Sequence, residues 1–429
     1  MLDEVNEIEQ LARPEIVALA PYRSARTDAG TAATPILLDA NERPGPPRAL
    51  AEAALPAHRY PEPQPRALRE RFARAYGVAP EAILLTRGAS EAIDLLVRVF
   101  CAPGRDRIVV APPTFELYEL AATVHGALTH VAPLTDDGFQ LDVERLLCAV
   151  RRNPGVKLVF LCTPNNPTGN LLRRADVLRL CAELRGRALV VADQTYVAFS
   201  GEAPLSDELH AHPNLVVLRT LSKEHGLAGE RVGVTVADPV AIDLLRRVVA
   251  PYPLPQSAVA AVLAATTPAG SEEARRAVAE VVAERERVAA ALRAAAPFAR
   301  VHPSDANFLL VEVPRPELLI AATTRAGIAV RDRSDVEGLA GCVRITIGAA
   351  HENDALLAAF ADFASALRLI GAHRAGAQPA AAAIRSTIRS SSAGEVAKFS
   401  RAQSSQPAPN SIPSLNLTRA RSSRKRPAV

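Results

Sequence analysis

The chain has 429 residues, 50 Lys and Arg against 46 Asp and Glu, and a formal net charge of +4. From Arg374 onward there are ten Lys and Arg and the single acid Glu395, which leaves 40 basic and 45 acidic side chains in residues 1–373, a net of −5. An acidic body argues against nucleic acid as the partner of the folded part, and 48% apolar content excludes a chain without a core.

The N-terminus opens on Asp3, Glu4, Glu7 and Glu9, the wrong charge for a signal or transit peptide, so a cytoplasmic protein is expected. Short β-branched runs then alternate with longer amphipathic stretches. The runs predict strands at Ile83–Thr86, Arg107–Ala111, Lys157–Cys162, Ala188–Asp193, Asn214–Thr220 and Val232–Val236. Helical patterns lie between several of them, at Ser90–Phe100, Phe115–His125 and Ala175–Leu184. This is the pattern of an α/β fold whose mostly parallel central sheet is covered by helices. After Pro255 come helical segments at Ser257–Ala265 and Ser271–Ala294, a strand at Asn307–Val313 and a helix at Glu317–Ala326. Strands at Ile328–Val330 and Val343–Ile347 and a last helix at Asn353–Leu369 complete a smaller α+β domain. Beyond Ala372 the pattern gives way to Ala, Ser, Pro, Gln and Arg, a composition that predicts a disordered basic tail. No apolar stretch is long enough for a membrane helix.

The Cys residues at 101, 148, 162, 181 and 342 are scattered and include no Cys-x-x-Cys pair. They predict buried thiols and no zinc site or disulfide framework. His210 and His212 have no further ligand spaced nearby, so no metal is expected. Lys is scarce: only Lys157, Lys223, Lys398 and Lys425 occur, Arg standing almost everywhere else. Arg replaces a surface charge but not an amine that must deprotonate and attack a carbonyl. Lys223, just past an apolar run in Thr220-Leu221-Ser222-Lys223, is the one placed for chemistry.

Ligands of open α/β sheets bind beyond the C-terminal strand ends. Three ends carry polar groups there: Thr163-Pro164-Asn165-Asn166-Pro167-Thr168-Gly169, Asp193-Gln194-Thr195-Tyr196, and Ser222-Lys223 followed by Arg231. A fourth, Thr86-Arg87-Gly88-Ala89-Ser90-Glu91, joins a strand to a helix N-terminus and suits an anion. Amine, carboxylate, phenol, amide, hydroxyl and guanidinium together match a pyridoxal phosphate site.

In order and spacing, Asn166-Pro167-Thr168-Gly169, Asp193-x-x-Tyr196, Ser222-Lys223 and Arg231 resemble the class I/II, fold-type I pyridoxal-phosphate aminotransferases, over about residues 10 to 370. Within them the chain most resembles the histidinol-phosphate aminotransferases. Ala20–Arg26, Leu38–Pro44, Arg59–Pro63, Pro251–Pro255, Val330–Arg333 and Val343–Gly348 carry that likeness. The resemblance implies an N-terminal arm at 1–35, a large cofactor-binding domain at 36–255, a small domain at 256–372, and a tail at 373–429 outside the match. It implies that Lys223 condenses with the cofactor aldehyde and shuttles the proton, with Asp193 on the pyridinium. Tyr196 and Asn166 would bond the ring oxygen, and Phe115 would stack on the ring. Ala89, Ser90, Ser222, Arg231 and Tyr60 would hold the phosphate. Arg344 would bind a substrate carboxylate; Tyr22 and Arg331 would meet a substrate phosphate, and Asn41 lies in a substrate-side loop.

The activity so implied is transamination of L-histidinol phosphate with 2-oxoglutarate, in L-histidine biosynthesis, by a homodimer in which Tyr60 and Tyr22 act across the interface. The alternatives are an aromatic amino acid aminotransferase or a threonine-phosphate decarboxylase-like enzyme. A transcription regulator of the same fold would need an N-terminal DNA-binding domain, and only about 35 residues precede the Leu37–Asn41 segment. Two departures stand out. The family usually has Asp-Glu-Ala-Tyr where this chain has Asp193-Gln194-Thr195-Tyr196, and commonly Gly-Ser-Asp-Glu where it has Gly88-Ala89-Ser90-Glu91. Glu224 and Glu230, beside an anion site, must pair with Arg or point away.

Overall fold

The computed structural model describes residues 36–38, 41 and 61–374. By contacts the chain divides into residues 1–365 and residues 366–429. All three sheets described below lie in the first of these. The expected tail falls, apart from its first two residues, outside the described residues, as do the expected roles of Tyr22 and Tyr60.

The central sheet has seven strands: β2 (Ile83–Thr86), β3 (Arg107–Val110), β4 (Leu128–Val131), β5 (Val156–Cys162), β6 (Leu189–Asp193), β7 (Leu215–Thr220) and β8 (Gly233–Ala237). Their order across the sheet is β2-β8-β7-β6-β5-β3-β4. The strands from β7 to β4 run parallel, whereas β8 is antiparallel to both β7 and β2.

Alternate residues of the central strands enter two separate apolar layers. Val159, Leu161, Val190, Ala192 and Val217 face one layer. Leu158, Phe160, Cys162, Val191, Val216 and Leu218 face the other. Burial on both faces is why these strands read as continuous apolar runs. On the first face pack α1 (Arg66–Tyr76), α4 (Val143–Arg152), α5 (Arg174–Glu183) and α7 (Gln256–Ala265). On the second pack α2 (Gly88–Phe100), α3 (Leu117–His125) and α6 (Pro239–Arg246). Local signals set several helix ends. Asp142 and Asp238 cap α4 and α6 by accepting from Arg145 N and Val240 N.

Long α8 (Pro268–Ala295) leads to a second, antiparallel sheet of β9 (Arg300–Val301), β10 (Phe308–Glu312), β12 (Arg331–Asp332) and β13 (Cys342–Thr346), in the order β12-β13-β10-β9. Helix α9 (Pro316–Arg325) precedes β11 (Ile328–Ala329), which pairs in parallel with β1 (Ile36–Leu37). Helix α10 (Ala350–Arg374) is the last element.

The predicted strands and helices occur with ends shifted by a few residues. Seven elements go beyond the prediction, the short strands β1, β9 and β12 of two residues each and four longer ones. Strand β4 lies at the sheet edge with Leu128 and Val131 exposed, so it lacks the apolar pattern of a buried strand. Helix α1 buries only Leu68, Phe72 and Ala73 beneath a charged surface. Helices α4 and α6 fill the space between neighbouring strands and owe their N-termini to the two Asp caps.

Candidate active site

The C-terminal ends of β5, β6 and β7 lie side by side, Cys162 paired with Asp193 and Asp193 with Leu218. The reversal of β8 adds two further segments. Thr220 at the end of β7 and Thr86 at the end of β2 are both register partners of Gly233 at the start of β8. The β7–β8 connection, which holds Ser222, Lys223 and Arg231, is therefore brought to the same edge as the β2–α2 turn, which holds Ala89 and Ser90.

Asp193 is 2% exposed and its carboxylate is held on both oxygens. Tyr118 O–H donates to Oδ2 at 2.8 Å, and Thr195 donates to Oδ1 through its backbone N–H at 3.1 Å and its hydroxyl at 2.6 Å. Burial pushes the Asp193 pKa up, and these neutral donors oppose the rise. Tyr118 was not singled out in the sequence. It sits fully buried on α3, stacked on Phe160 at 4.8 Å and edge-on to Phe115 at 5.6 Å. Its signal was its place three residues after Phe115, one helical turn away. Thr195, the departure from the usual Ala, is the source of the shortest donor to Asp193. Gln194, the other departure, accepts from Leu205 N at 2.9 Å and fixes the following loop.

The Lys223 ammonium lies 6.0 Å from the ring centroid of Tyr196. Tyr196 is buried, and burial holds its phenol well above its ordinary pKa. Asn41 Nδ2 donates to the Tyr196 oxygen at 3.3 Å. Asn41 is itself clamped: its N–H donates to Thr346 Oγ1, which donates back to Asn41 Oδ1, and Asn307 Nδ2 donates to its carbonyl. Arg344, on β13, donates to Asn166 Oδ1 at 2.6 Å and lies 5.4 Å over the Phe308 ring. The small sheet thus meets the Asn166 loop directly. Arg331 on β12 is the register partner of Arg344.

Gly88 has φ of +74°, and a Cβ there would fall 2.7 Å from Arg231 Nη2. The Arg231 guanidinium therefore lies against the turn that starts α2. A Cβ on Gly233 would fall 2.4 Å from the carbonyl carbon of Gly88, so Gly233 is required by close backbone approach and Gly88 by its positive φ. Ser222 is buried and accepts from Thr220 Oγ1 at 2.9 Å. Ala89 and Ser90 lie in the first turn of α2, Ser90 exposed. Glu224 pairs with buried Arg219 at 3.2 Å and contacts His225 at 3.3 Å. Burial pushes the Glu224 carboxyl up, but Arg219 and His225 outweigh it and hold the pKa at about 2. That ion pair answers the expectation that Glu224 must find an Arg.

The residues fit pyridoxal phosphate. A glycine cradle at a helix N-terminus with a guanidinium against it is a phosphate seat. A buried carboxylate held only by neutral donors suits a protonated ring nitrogen. The half-buried Lys223 amine stands beside the phenol Tyr196. Of the expected site residues, Asn41, Asn166, Tyr196, Lys223 and Arg344 are linked by these contacts, and Arg331 joins them through its strand. Arg231, Ala89 and Ser90 form the adjoining anion seat, with Ser222 on the loop between. Phe115 reaches Asp193 through Tyr118.

Comparison with known proteins shows the family of the chain. The family model of aminotransferase class I and II matches residues 26–362. The chain is 43% identical over 359 residues to a histidinol-phosphate aminotransferase of Stenotrophomonas maltophilia, covering 83% of this chain and 97% of the relative. It is 40% identical over 355 residues to a histidinol-phosphate aminotransferase of Cronobacter sakazakii, with the same coverage. Among solved structures, the histidinol-phosphate aminotransferase of Sinorhizobium meliloti in complex with pyridoxal 5'-phosphate superposes with a TM-score of 0.74 at 25% identity, covering 83% of this chain and 98% of that one. With more than half of its length matched by the family model, the chain belongs to the class I and II aminotransferases.

Proposed function

We propose that the protein is a pyridoxal-phosphate-dependent histidinol-phosphate transaminase, converting L-histidinol phosphate and 2-oxoglutarate to imidazole-acetol phosphate and L-glutamate in L-histidine biosynthesis. The reading is supported above all by Arg331 paired with Arg344 beside Asn166, in a chain 40–43% identical to enzymes of that name. L-histidinol phosphate offers a phosphate and no carboxylate, whereas glutamate offers carboxylates. A site that serves both in turn needs cations able to take either anion, and paired guanidinium forks supply this.

Pyridoxal phosphate, when bound, supplies an aldehyde that takes up the amino group and a ring that accepts electrons. The chain supplies the rest. Lys223 Nζ would take the proton from the substrate carbon that bears the amine and deliver it to the cofactor's aldehyde-derived carbon. Asp193 holds a proton on the ring nitrogen, its carboxylate aligned by Tyr118 and Thr195. Tyr196 and Asn166 bond the ring oxygen, Asn41 fixing Tyr196 from behind. Phe115 covers the ring face. Arg231, Ser222, Ala89 and Ser90 seat the cofactor phosphate with the first-turn N–H groups of α2. Residues 36–255 form the cofactor-binding domain and residues 256–372 the smaller domain bearing Arg331 and Arg344. The enzyme acts as a homodimer.

The test is turnover of L-histidinol phosphate against L-phenylalanine, each with 2-oxoglutarate, in purified protein and in Lys223→Ala. The expected result is a clear preference for L-histidinol phosphate and loss of both the bound-cofactor absorbance and the turnover in Lys223→Ala. Preference for phenylalanine, or carbon dioxide release without consumption of 2-oxoglutarate, overturns the substrate assignment. An unchanged absorbance in Lys223→Ala overturns the site. Light scattering at twice the 45.5 kDa chain mass checks the dimer.

A further inference from the structure

A second cluster of chemically able side chains lies in the small sheet, with no part in the site above. His302 follows β9, Glu312 ends β10 and Cys342 begins β13. These positions are 10 and 30 residues apart, so no linear ligand spacing marks them. The sheet brings them together. Glu312 and Cys342 are register partners. His302 N donates to Leu310 O at 3.0 Å, which places His302 one pleat from Glu312. One nitrogen, one sulfur and one carboxylate oxygen of the three lie within 4.8 Å of one another.

The burial of this group is asymmetric. His302 and Cys342 are 5% and 3% exposed. Among the described residues His302 Nε2 is buried without a hydrogen-bond partner; its neighbour is Glu312 Oε2 at 3.7 Å, beyond hydrogen-bond reach. A buried ring nitrogen in that state costs free energy unless something else meets it. The Phe139 ring packs on the imidazole at 5.4 Å and fixes its plane. Glu312 is the open side of the cluster, its side chain 45% exposed.

Imidazole, thiolate and carboxylate together suit Zn²⁺, and two ligand atoms about 2.0–2.1 Å from zinc at a tetrahedral angle are about 3.4 Å apart. The 3.7 Å between Nε2 and Oε2 is close to that separation. We propose that His302 Nε2, a Glu312 carboxylate oxygen and Cys342 Sγ form a zinc site, a water completing the tetrahedron on the Glu312 side. On binding, the Cys342 S–H bond breaks, its proton leaves to solvent and an S–Zn bond forms. The first shell then carries the charges of a thiolate and a carboxylate, which balance the ion; the exposed Arg300, register partner of Glu312, is the opposing cation nearby. The ion ties β9, β10 and β13 together, two residues along β13 from Arg344. Its role is structural, a clip on the sheet that carries the substrate-side arginines.

The experiment uses the full-length holoenzyme, stripped with chelator, given Zn²⁺ and passed through gel filtration. Elemental mass spectrometry is expected to find about one zinc per chain, and X-ray absorption to find one sulfur at about 2.3 Å with lighter ligands at about 2.0 Å. Zinc is expected to raise Tm. His302→Gln, Glu312→Gln and Cys342→Ser are each expected to weaken zinc binding about tenfold or more and to abolish the Tm rise. A variant whose zinc-free Tm matches that of the zinc-free parent has kept its fold, so its zinc loss is read directly. No retained zinc, zinc without a sulfur neighbour, or undiminished zinc in His302→Gln and Cys342→Ser overturns the proposal.

Discussion

Burial raises the Asp193 pKa, and the hydroxyls of Tyr118 and Thr195 work against that rise. In the cofactor-free protein the folded pKa lies above the unfolded one, so stability is fullest below the ordinary value of 3.8 and is lost as pH rises through the folded pKa. Asp193→Asn, which carries no charge to bury, is therefore expected to raise the Tm of cofactor-free protein at neutral pH and to flatten its decline with pH, as thermal melts across pH would read. The same change abolishes the charge that holds the ring proton, so turnover falls. Thr195→Ala removes the 2.6 Å donor. A hydrogen bond to a charged group contributes about 1.5–3 kcal/mol, so Thr195→Ala is expected to push the Asp193 pKa further up and to lower the Tm at neutral pH in thermal melts. Asp193 was legible in the sequence, because a carboxylate after four apolar residues at a strand end has few structural uses. Tyr118 was not, because an aromatic on an apolar helix face looks like core until the strand it covers is known.

Strand β8 acts at the scale of elements. Its reversal folds the β7–β8 connection back, so that Lys223 and Arg231 return to the edge where the β2–α2 turn starts. Gly233→Ala places a Cβ 2.4 Å from the backbone of Gly88, and backbone cannot yield as a flexible side chain does. The expected cost is about 1–3 kcal/mol of stability with a weaker hold on the cofactor phosphate, read by melts and by titration with pyridoxal phosphate. The Arg219–Glu224 pair braces the same connection. Its depressed Glu224 pKa contributes stability above pH 4.5 that is lost as pH falls through about 2. Glu224→Gln is expected to flatten stability across that acid window. At pH 7 it is expected to cost about 3 kcal/mol, because Arg219 stays buried without its partner. Melts from pH 2 to 7 check both.

For the whole molecule, the family match ends at residue 362 and leaves the basic C-terminal stretch outside. The net charge of +4 hides an acidic body of −5, in which the proposed anion sites are local groups of Arg231, Arg331 and Arg344. Truncation after Arg374 is expected to leave turnover and Tm unchanged in steady-state assays and melts, and a large loss would make residues 375–429 part of the working fold. Among the described residues no helix is long and apolar enough to cross a membrane.

The sequence by itself determined the alternation of elements, the apolar strands that must be buried on both faces and the polar groups at their ends. Periodicity and turn chemistry are local, and a strand end followed by Asn, Asp or Lys is visible without a partner. The register of β13 against β10 and β12 was decided only in three dimensions. It sets Arg344 opposite Arg331 and Cys342 opposite Glu312. Strand pairing is a long-range choice fixed by burying one face of each strand. Only that choice turns side chains far apart in the chain into neighbours, at the arginine pair and at the His302 cluster alike.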